Sequence, residues 1–245
     1  MTYTDNSPAA PGCGFSFSGA NAGKLMGSTA KMEYSLDGGT AWVDCTADTA
    51  LPVGSISDAN DIRVRLKATG TVAAGKIQTI DITRAATPAL TVTQPAVING
   101  TGSINTDAAH EYRAASSAAW ISATGLTSGL PAGKYEVRVK AAGQALASAA
   151  QELTVTAFVP AAESAPSAVF TATGADSGTL SNVSAGLKYS TDGRSWTDIP
   201  SAADIALTGL SVGTLHVVKK GNGTTTVDSA PQTIDITRAA TPALT

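Results

Sequence analysis

The carboxylates of this chain are the side chains most able to bind a ligand. Asp58 with Asp61, and Asp37 with Asp44, form acidic pairs close together in the sequence. Such pairs could supply oxygen ligands to Ca²⁺, which takes about six to eight of them. The alternative, which we favour, is that they are solvated loop carboxylates. Ca²⁺ is therefore the one cofactor that the sequence leaves open.

Catalytic patterns are weak. His110 and His216 lie in unrelated sequence contexts, so paired acid–base chemistry has no support. The many Ser and Thr residues are not in a nucleophile-elbow context, and the sequence has neither a Gly-rich phosphate loop nor a Cys/His metal cluster. We predict that the protein is not an enzyme and that it has no catalytic residue.

Two cysteines, Cys13 and Cys45, are the only ones in the chain. They could be two buried free thiols, which behave as small apolar side chains. They could instead form a disulfide that closes a loop of about 32 residues and stabilises the fold by about 3 kcal/mol. The sequence leaves both possibilities open.

The chain repeats itself. The fourteen residues 78–91 (QTIDITRAATPALT) recur unchanged at 232–245. Such a copy indicates duplicated units, and a chain of small copied units is more typical of a structural array than of one solitary active site.

Prolines and aromatic residues set the length of the unit. A Pro precedes the first apolar run of each unit, at Pro11, Pro88, Pro166 and Pro242, so the period is about 77 residues. This length suits one small domain of about seven strands. The predicted division is an N-terminal tail at 1–10, repeats at 11–87, 88–165 and 166–241, and the beginning of a fourth repeat or a free strand at 242–245.

A tight hairpin is the sharpest local motif. YSLDGGTAW (34–42) is echoed by YSTDGRSW (189–196), and each places Asp-Gly between two apolar segments. Asp-Gly favours a two-stranded turn because Gly adopts positive φ without steric cost. The predicted turn residues are Asp37, Gly38, Gly39, Asp192 and Gly193.

Aromatic residues recur around this hairpin and in a later strand. Repeat 2 keeps the Tyr and the Trp while it loses the Asp-Gly turn, which suits packing better than catalysis. We therefore predict that the aromatic residues belong to thin cores. The predicted core aromatics are Tyr34, Trp42, Tyr112, Trp120, Tyr135, Tyr189 and Trp196.

Alternation of apolar and polar residues predicts strands throughout. IRVRLK (62–67) and KYEVRVK (134–140) each place every second side chain on an apolar face. The Ala-rich segment 141–151 is the one helix candidate, and we predict a loop or hairpin there because repeat 3 has GNGTTTVDSAPQ in its place. The sequence predicts an all-β chain of antiparallel sandwiches.

The motifs together resemble a known class of module. The DGG hairpin, followed in repeat 2 by GLPAGKYEVRVKA (129–141), is similar to bacterial fibronectin type III and related immunoglobulin-like modules of cell-surface and S-layer-like proteins. The resemblance implies tandem seven-strand sandwiches with an adhesive or spacer role and no catalytic residues. Segment 35–42 also fits the Asp-box pattern of sialidase propellers, but three units of this length cannot form propeller blades.

Composition limits the partners. Charged residues make up 14% of the chain, the net charge is −3 and the pI is about 5.3. These values argue against nucleic acid and against an anionic membrane surface. No segment approaches 18 consecutive apolar residues, so we predict no membrane insertion. The first residues have neither the basic nor the apolar region of a signal peptide.

Two functions follow as expectations. The first is an extracellular or bacterial cell-surface structural protein, a rod of modules that self-associates into a layer or filament. The second is an adhesin or carbohydrate-binding array that recognises a glycan or a host protein. We favour the first because aromatic residues are scarce, at 5% of the chain, and align with predicted packing positions.

Overall fold

The computed structural model describes residues 6–19, 22–52, 56–57 and 59–238. Its regular elements are all β-strands, and the described residues contain no helix. The predicted all-β fold is therefore confirmed. The beginning of the tail at 1–5 and the predicted fourth unit at 242–245 lie outside the described residues.

Sandwich 1 consists of a three-stranded sheet in the order β1-β2-β5 and a four-stranded sheet in the order β4-β3-β6-β7. All of its strand pairs are antiparallel. A short strand, β8, follows it in the chain. The strands are β1 Gly14–Gly19, β2 Ala22–Met26, β3 Met32–Ser35, β4 Val43–Asp44, β5 Ala50–Leu51, β6 Ile62–Leu66, β7 Gln78–Ile80 and β8 Thr83–Arg84.

Sandwich 2 repeats the arrangement, with sheets β13-β10-β9 and β12-β11-β14-β16. One extra strand, β15, lies in the connection between its last two long strands. The strands are β9 Val92–Thr93, β10 Gly102–Ile104, β11 His110–Ala114, β12 Ile121–Ser122, β13 Thr127–Leu130, β14 Gly133–Val139, β15 Ala145–Leu146 and β16 Gln151–Val155.

Sandwich 3 has sheets β18-β19-β22 and β21-β20-β23-β25. In all three sandwiches the first, second and fifth strands form one sheet and the other four form the second. This is the strand order of a fibronectin type III-like sandwich. The remaining strands are β17 Ala161–Ala162, β18 Val169–Ala172, β19 Gly178–Ser181, β20 Leu187–Ser190, β21 Thr197–Asp198, β22 Ile205–Leu207, β23 Gly213–Lys219, β24 Thr226–Val227 and β25 Gln232–Ile236.

The three sandwiches are distributed over two compact units. The first unit comprises the chain to Thr93 together with Thr101–Thr156, and so holds sandwiches 1 and 2. The second comprises Gln94–Gly100 and Ala157–Thr245, and so holds sandwich 3. The Ala-rich segment 141–151 forms a hairpin, in which Ala142 and Ala145 pair, so the prediction against a helix is confirmed.

Aliphatic side chains fill the cores. Ile62 and Val64 of β6 are fully buried, while the alternating Arg63 and Arg65 face outward in part, as the sequence pattern predicts. Packing within one sheet requires a glycine in β2, because the ring of Phe15 on the neighbouring strand β1 lies across Gly23. A Cβ added to Gly23 would collide with the ring of Phe15, which explains the glycine in β2.

A glutamine clamp closes each sandwich. In sandwich 1 the Gln78 side-chain amide accepts from the Cys13 N–H at 2.8 Å and donates to the Cys13 carbonyl at 2.7 Å. Because Gln78 begins β7 and Cys13 precedes β1, one amide ties the first strand to the last. The same pair of bonds joins Gln151 to Leu90 and Gln232 to Ala168, all at 2.8–3.0 Å.

We expect Gln151→Ala to lower the free energy of unfolding by about 1–3 kcal/mol, because it leaves the Leu90 N–H and carbonyl without their partners. Denaturant unfolding measures the loss. Gln144→Ala is the matched control, since that side chain is exposed, and we expect a change below about 0.5 kcal/mol. Equal losses in the two variants would contradict the clamp.

Candidate functional site

The first predicted turn is built around one carboxylate. Asp37, Gly38 and Gly39 lie between β3 and β4, and both glycines have positive φ, at 76° and 91°. Asp37 accepts hydrogen bonds from the Ala41 N–H at 3.0 Å and from the Ser35 hydroxyl at 2.7 Å. These bonds stabilise the charged form, so the pKa of Asp37 is lowered, chiefly by the Ala41 N–H.

The second predicted turn repeats this geometry in sandwich 3. Asp192 Oδ1 accepts from the Ser195 N–H at 2.7 Å, from the Arg194 N–H at 2.8 Å and from the Ser190 hydroxyl at 2.9 Å. The pKa of Asp192 is strongly lowered, first by the Ser195 N–H. Gly193 has a φ of 69°. The carboxylate oxygens of both turns are thus used to hold the chain's own backbone.

The three tryptophans lie outside the hydrophobic cores. Trp42, Trp120 and Trp196 are only partly buried, and none belongs to a core cluster. The prediction that they are core residues is therefore wrong. Each lies just before a two-residue edge strand of the four-stranded sheet, where the ring packs against side chains on the outer face of that sheet.

Cationic side chains stack on these rings. The Arg65 guanidinium carbon lies 3.8 Å from the Trp42 ring centroid, and Arg113 and Arg138 lie 4.5 and 4.0 Å from that of Trp120. A cation over an aromatic face is attracted by the ring quadrupole. The same holds more weakly in sandwich 3, where the Lys188 ammonium is 5.2 Å from the Trp196 ring.

Glutamates on the same sheet hold the arginines over the rings. Arg65 Nε lies 2.6 Å from Glu33 Oε1, and the two residues are direct cross-strand partners. In sandwich 2, Arg138 pairs with Glu111 at 2.7 Å in the same way. A guanidinium that is fixed by a carboxylate keeps its plane on the indole, so these groups form an ordered face of charged and aromatic side chains.

The tyrosines divide between core and margin. Tyr34 and Tyr135 are core residues, at 6% and 8% exposure, whereas Tyr112 and Tyr189 are partly buried and pack against the cores. The Tyr135 hydroxyl donates to the Pro131 carbonyl at 2.9 Å and so fastens the loop before β14. All four tyrosines therefore have a packing role.

The two cysteines are buried free thiols in this structure. Cys13 Sγ contacts Met32 Sδ at 3.6 Å, and the Cys45 N–H donates to the Met32 carbonyl at 3.0 Å. Burial raises the pKa of both thiols, which disfavours the reactive thiolate. Of the two possibilities left open by the sequence, the structure has the free thiols.

Of the two predicted acidic pairs, Asp37 with Asp44 lies wholly within the described residues. Asp44 pairs with Lys67 at 3.0 Å, and Asp58 lies outside the described residues. Within the described ranges, the structure brings together no group of three or more His, Cys, Asp or Glu side chains that could hold a metal ion. In the same part of the chain, no helix is long and apolar enough to cross a membrane.

A joint between sandwiches 1 and 2 is the most specific site in the first unit. Strand β8 pairs in parallel with β15, so that Thr83 lies opposite Ala145 and Arg84 opposite Leu146. The Thr83 N–H donates to the Gln144 carbonyl at 3.2 Å. The Arg84 guanidinium donates to the carbonyl of Ala147 at 2.9 Å.

Leu146 is the centre of this joint. It belongs to the hairpin of sandwich 2, yet it is 0% exposed and lies in the hydrophobic cluster of sandwich 1, with Ile56 and Ile82. Complete burial of a leucine side chain contributes about 1.5–3 kcal/mol. One sandwich therefore completes the core of its neighbour. Leu146 was not among the predicted site residues, although its place five residues before Gln151 matches that of Val227 before Gln232.

The second unit contains a related contact between a hairpin strand and a linker strand. Strand β17 pairs in parallel with β24, which places Ala162 opposite Val227. The Glu163 N–H donates to the Val227 carbonyl at 3.0 Å, and its carboxylate pairs with Lys219 at 2.8 Å. Lys219 holds the pKa of Glu163 below its usual range. Val227, the counterpart of Leu146, remains 41% exposed.

Comparison with solved structures finds 139 similar chains, one of which is described below. No protein-family model and no curated protein matches the sequence. The chicken CNTN1 FN1–FN3 domains match 94% of this chain and 100% of theirs, with 12% identity and a TM-score of 0.25. A similarity of this size adds nothing to the strand order, on which the assignment of fibronectin type III-like sandwiches rests.

Acid should weaken the Asp192 turn. Because the folded-state pKa of Asp192 lies below that of the unfolded chain, its contribution to stability is present above about pH 4 and is lost as the pH falls towards the folded-state pKa. We expect Asp192→Asn to lower the melting temperature at pH 7, and we expect the difference from the unchanged protein to shrink as the pH falls below about 4. Thermal unfolding followed by circular dichroism between pH 7 and pH 2 tests it, and a difference that stays constant across this range would contradict it.

Removal of a tryptophan should cost less than removal of a core aromatic residue. We expect Trp120→Ala to lower the free energy of unfolding by about 1–2 kcal/mol, from the loss of two cation–π contacts of about 0.5–1 kcal/mol each. Tyr135→Ala is the matched core variant, with an expected loss of about 3–5 kcal/mol. Denaturant unfolding compares the two. Equal losses of unfolding free energy in the two variants would show that Trp120 is a core residue.

Proposed function

We propose that this protein is a non-enzymatic extracellular structural protein, a tandem array of β-sandwich modules that assembles into a surface layer or fibre. The support comes from how the described side chains are used. Carboxylates hold turns, arginines cover aromatic rings, and glutamines tie first strands to last strands. These interactions serve the cohesion of the modules.

The joint carries the proposal. Leu146 is buried in the core of a neighbouring module, and β8 and β15 add backbone hydrogen bonds across the same boundary. Two modules that only shared a linker would be free to move as separate bodies. A shared core resists bending and stretching at the boundary, which is the property that a spacer or layer protein needs.

Surface composition and module type support the extracellular location and the self-association. The surface is poor in charge, with 14% charged residues, and the modules resemble those of bacterial surface proteins. Assembly requires complementary ends, because contacts between unlike surfaces produce filaments when they do not close into a ring.

An adhesin or carbohydrate-binding array is the alternative. The partly exposed tryptophans on the outer sheet faces favour it, since aromatic rings are common platforms for sugars. However, Arg113 and Arg138 both lie over the ring of Trp120. A sugar could stack there only after the displacement of arginines that are paired with glutamates. We therefore prefer the structural role.

Sedimentation velocity and negative-stain microscopy of the purified chain, over a range of concentrations, test the structural proposal against the alternative. We expect concentration-dependent polymers and no specific signal on a glycan array. A chain that stays monomeric at high concentration and binds a defined glycan, with the binding abolished by Trp120→Ala, would overturn the proposal.

The joint makes a separate prediction about stability. We expect Leu146→Ala to lower the free energy of unfolding of the first unit by about 2–5 kcal/mol, because it leaves a cavity in the core of sandwich 1. Val227→Ala, at the matched position of sandwich 3, should cost less than about 0.5 kcal/mol because Val227 is 41% exposed. Denaturant unfolding measures both, and equal effects would show that Leu146 does not fasten the joint.

A further inference from the structure

The first copy of the repeated fourteen residues contributes to two modules. Its first half belongs to sandwich 1, where Gln78 forms the clamp and Ile80 and Ile82 are buried in the core. Its second half forms the joint and begins sandwich 2: Thr83 and Arg84 pair with β15, and Leu90 packs against the next core. The segment therefore spans the boundary between two modules.

The first half of the second copy likewise provides the glutamine clamp and core contacts of sandwich 3. Gln232 clamps Ala168 through two bonds of 2.8 Å, and Ile234 and Ile236 pack against the core. The joint-forming dipeptide follows as Thr237 and Arg238, both exposed. Ile236 is only partly buried, whereas its counterpart Ile82, next to Leu146, is 2% exposed.

An open cleft lies at this end of sandwich 3. We call it the distal cleft, and it is lined by Phe170, Asp176, Leu210, Ile236, Thr237 and Arg238, among others. Its walls are held in place, since the Leu210 N–H donates to the Asp176 carbonyl at 2.8 Å. Leu210 and Ile236 belong to the core of sandwich 3 or pack against it, and Ile236 has the same place in the repeated stretch as Ile82, which shares a core cluster with Leu146.

The linker sequences show which kind of joint the second copy specifies. Eight positions lead from Ile82 to Leu90, and thirteen lead from Val155 to the corresponding Ala168. The short linker accompanies a fully buried Leu146, and the long one accompanies Val227, which stays 41% exposed. Because the second copy repeats the short linker residue for residue, it encodes the joint with the buried leucine.

We propose that the distal cleft binds the hairpin of a further sandwich of this repeat type. The aliphatic side chain at the position of Leu146 in that hairpin inserts beside Ile236. The backbone of the hairpin pairs with Thr237 and Arg238. This inference deepens the proposed structural role and rests on it. A second copy of the chain is the less suitable partner. Its hairpin at Thr69–Val72 carries Ala73 at the position of Leu146, and a methyl group fills less of the cleft.

Extension of the full chain tests the proposal. A second copy of residues 92–165, placed directly after Thr245, gives the second copy of the fourteen residues the same following sequence as the first. The readout is amide hydrogen exchange at Thr237, with Thr83 of the same molecule as the internal reference, since the Thr83 N–H is bonded across the natural joint. The matched variant carries Leu146→Asp in the appended copy alone.

We expect exchange at Thr237 to slow at least tenfold on extension, to approach that of Thr83, and to return to the unextended rate in the Asp variant. Protection of the β14 amides in the appended copy verifies that it is folded. Fast exchange at Thr237 beside a folded appended sandwich would overturn the proposal. Slow, concentration-dependent exchange at Thr237 in the unextended chain would also overturn it, by assigning the cleft to a second copy. If the unextended chain fails to polymerise, only the proposed assembly is contradicted, because the extension reports on docking alone.

Discussion

The small volume of the core side chains is the constraint on which the rest of the structure depends. The largest fully buried side chains are all aliphatic, and a domain of about 77 residues buries only a little over 60% of its unfolded surface. Contacts outside the hydrophobic cores must supply the rest of the stabilisation of each sandwich. The glutamine clamps do so in every sandwich, and paired hydroxyls such as Ser28 with Thr49, at 2.9 Å, do so inside. Leu146 adds stabilisation across the boundary between modules, because this side chain of sandwich 2 lies in the core of sandwich 1.

The outer sheet faces follow from the same constraint. Aliphatic side chains fill the cores, and the three indoles belong to none of the core clusters. The tryptophans therefore lie on the outer side, where arginines cover their rings and glutamates fix the arginines. This arrangement shields apolar surface without a deeper core. It also explains why the Tyr-Trp spacing persists in repeat 2 after the Asp-Gly turn is lost, since the tryptophan packs on the sheet and not on the turn.

The sequence predicts the strands well because their alternation is regular. IRVRLK and KYEVRVK become β6 and β14, in which Ile62, Val64, Tyr135 and Val137 are buried, and the Asp-Gly turns lie where the motif puts them. The tryptophans were misassigned because they precede two-residue edge strands, where alternation is too short to determine a face. The clamp was missed although a Gln begins the last strand of each sandwich. Leu146 was beyond prediction from its own repeat, since the core that buries it belongs to another.

The two linkers of the chain differ in length. Where eight positions lead from Ile82 to Leu90, the hairpin side chain Leu146 is buried in the neighbouring core. Where thirteen positions lead from Val155 to Ala168, the hairpin pairs with the linker and its side chain Val227 is 41% exposed. The stretch that recurs unchanged contains the last strand of one module and the short linker to the next. The modules otherwise differ in their turns and cysteines, so the repeat keeps the residues that form this joint.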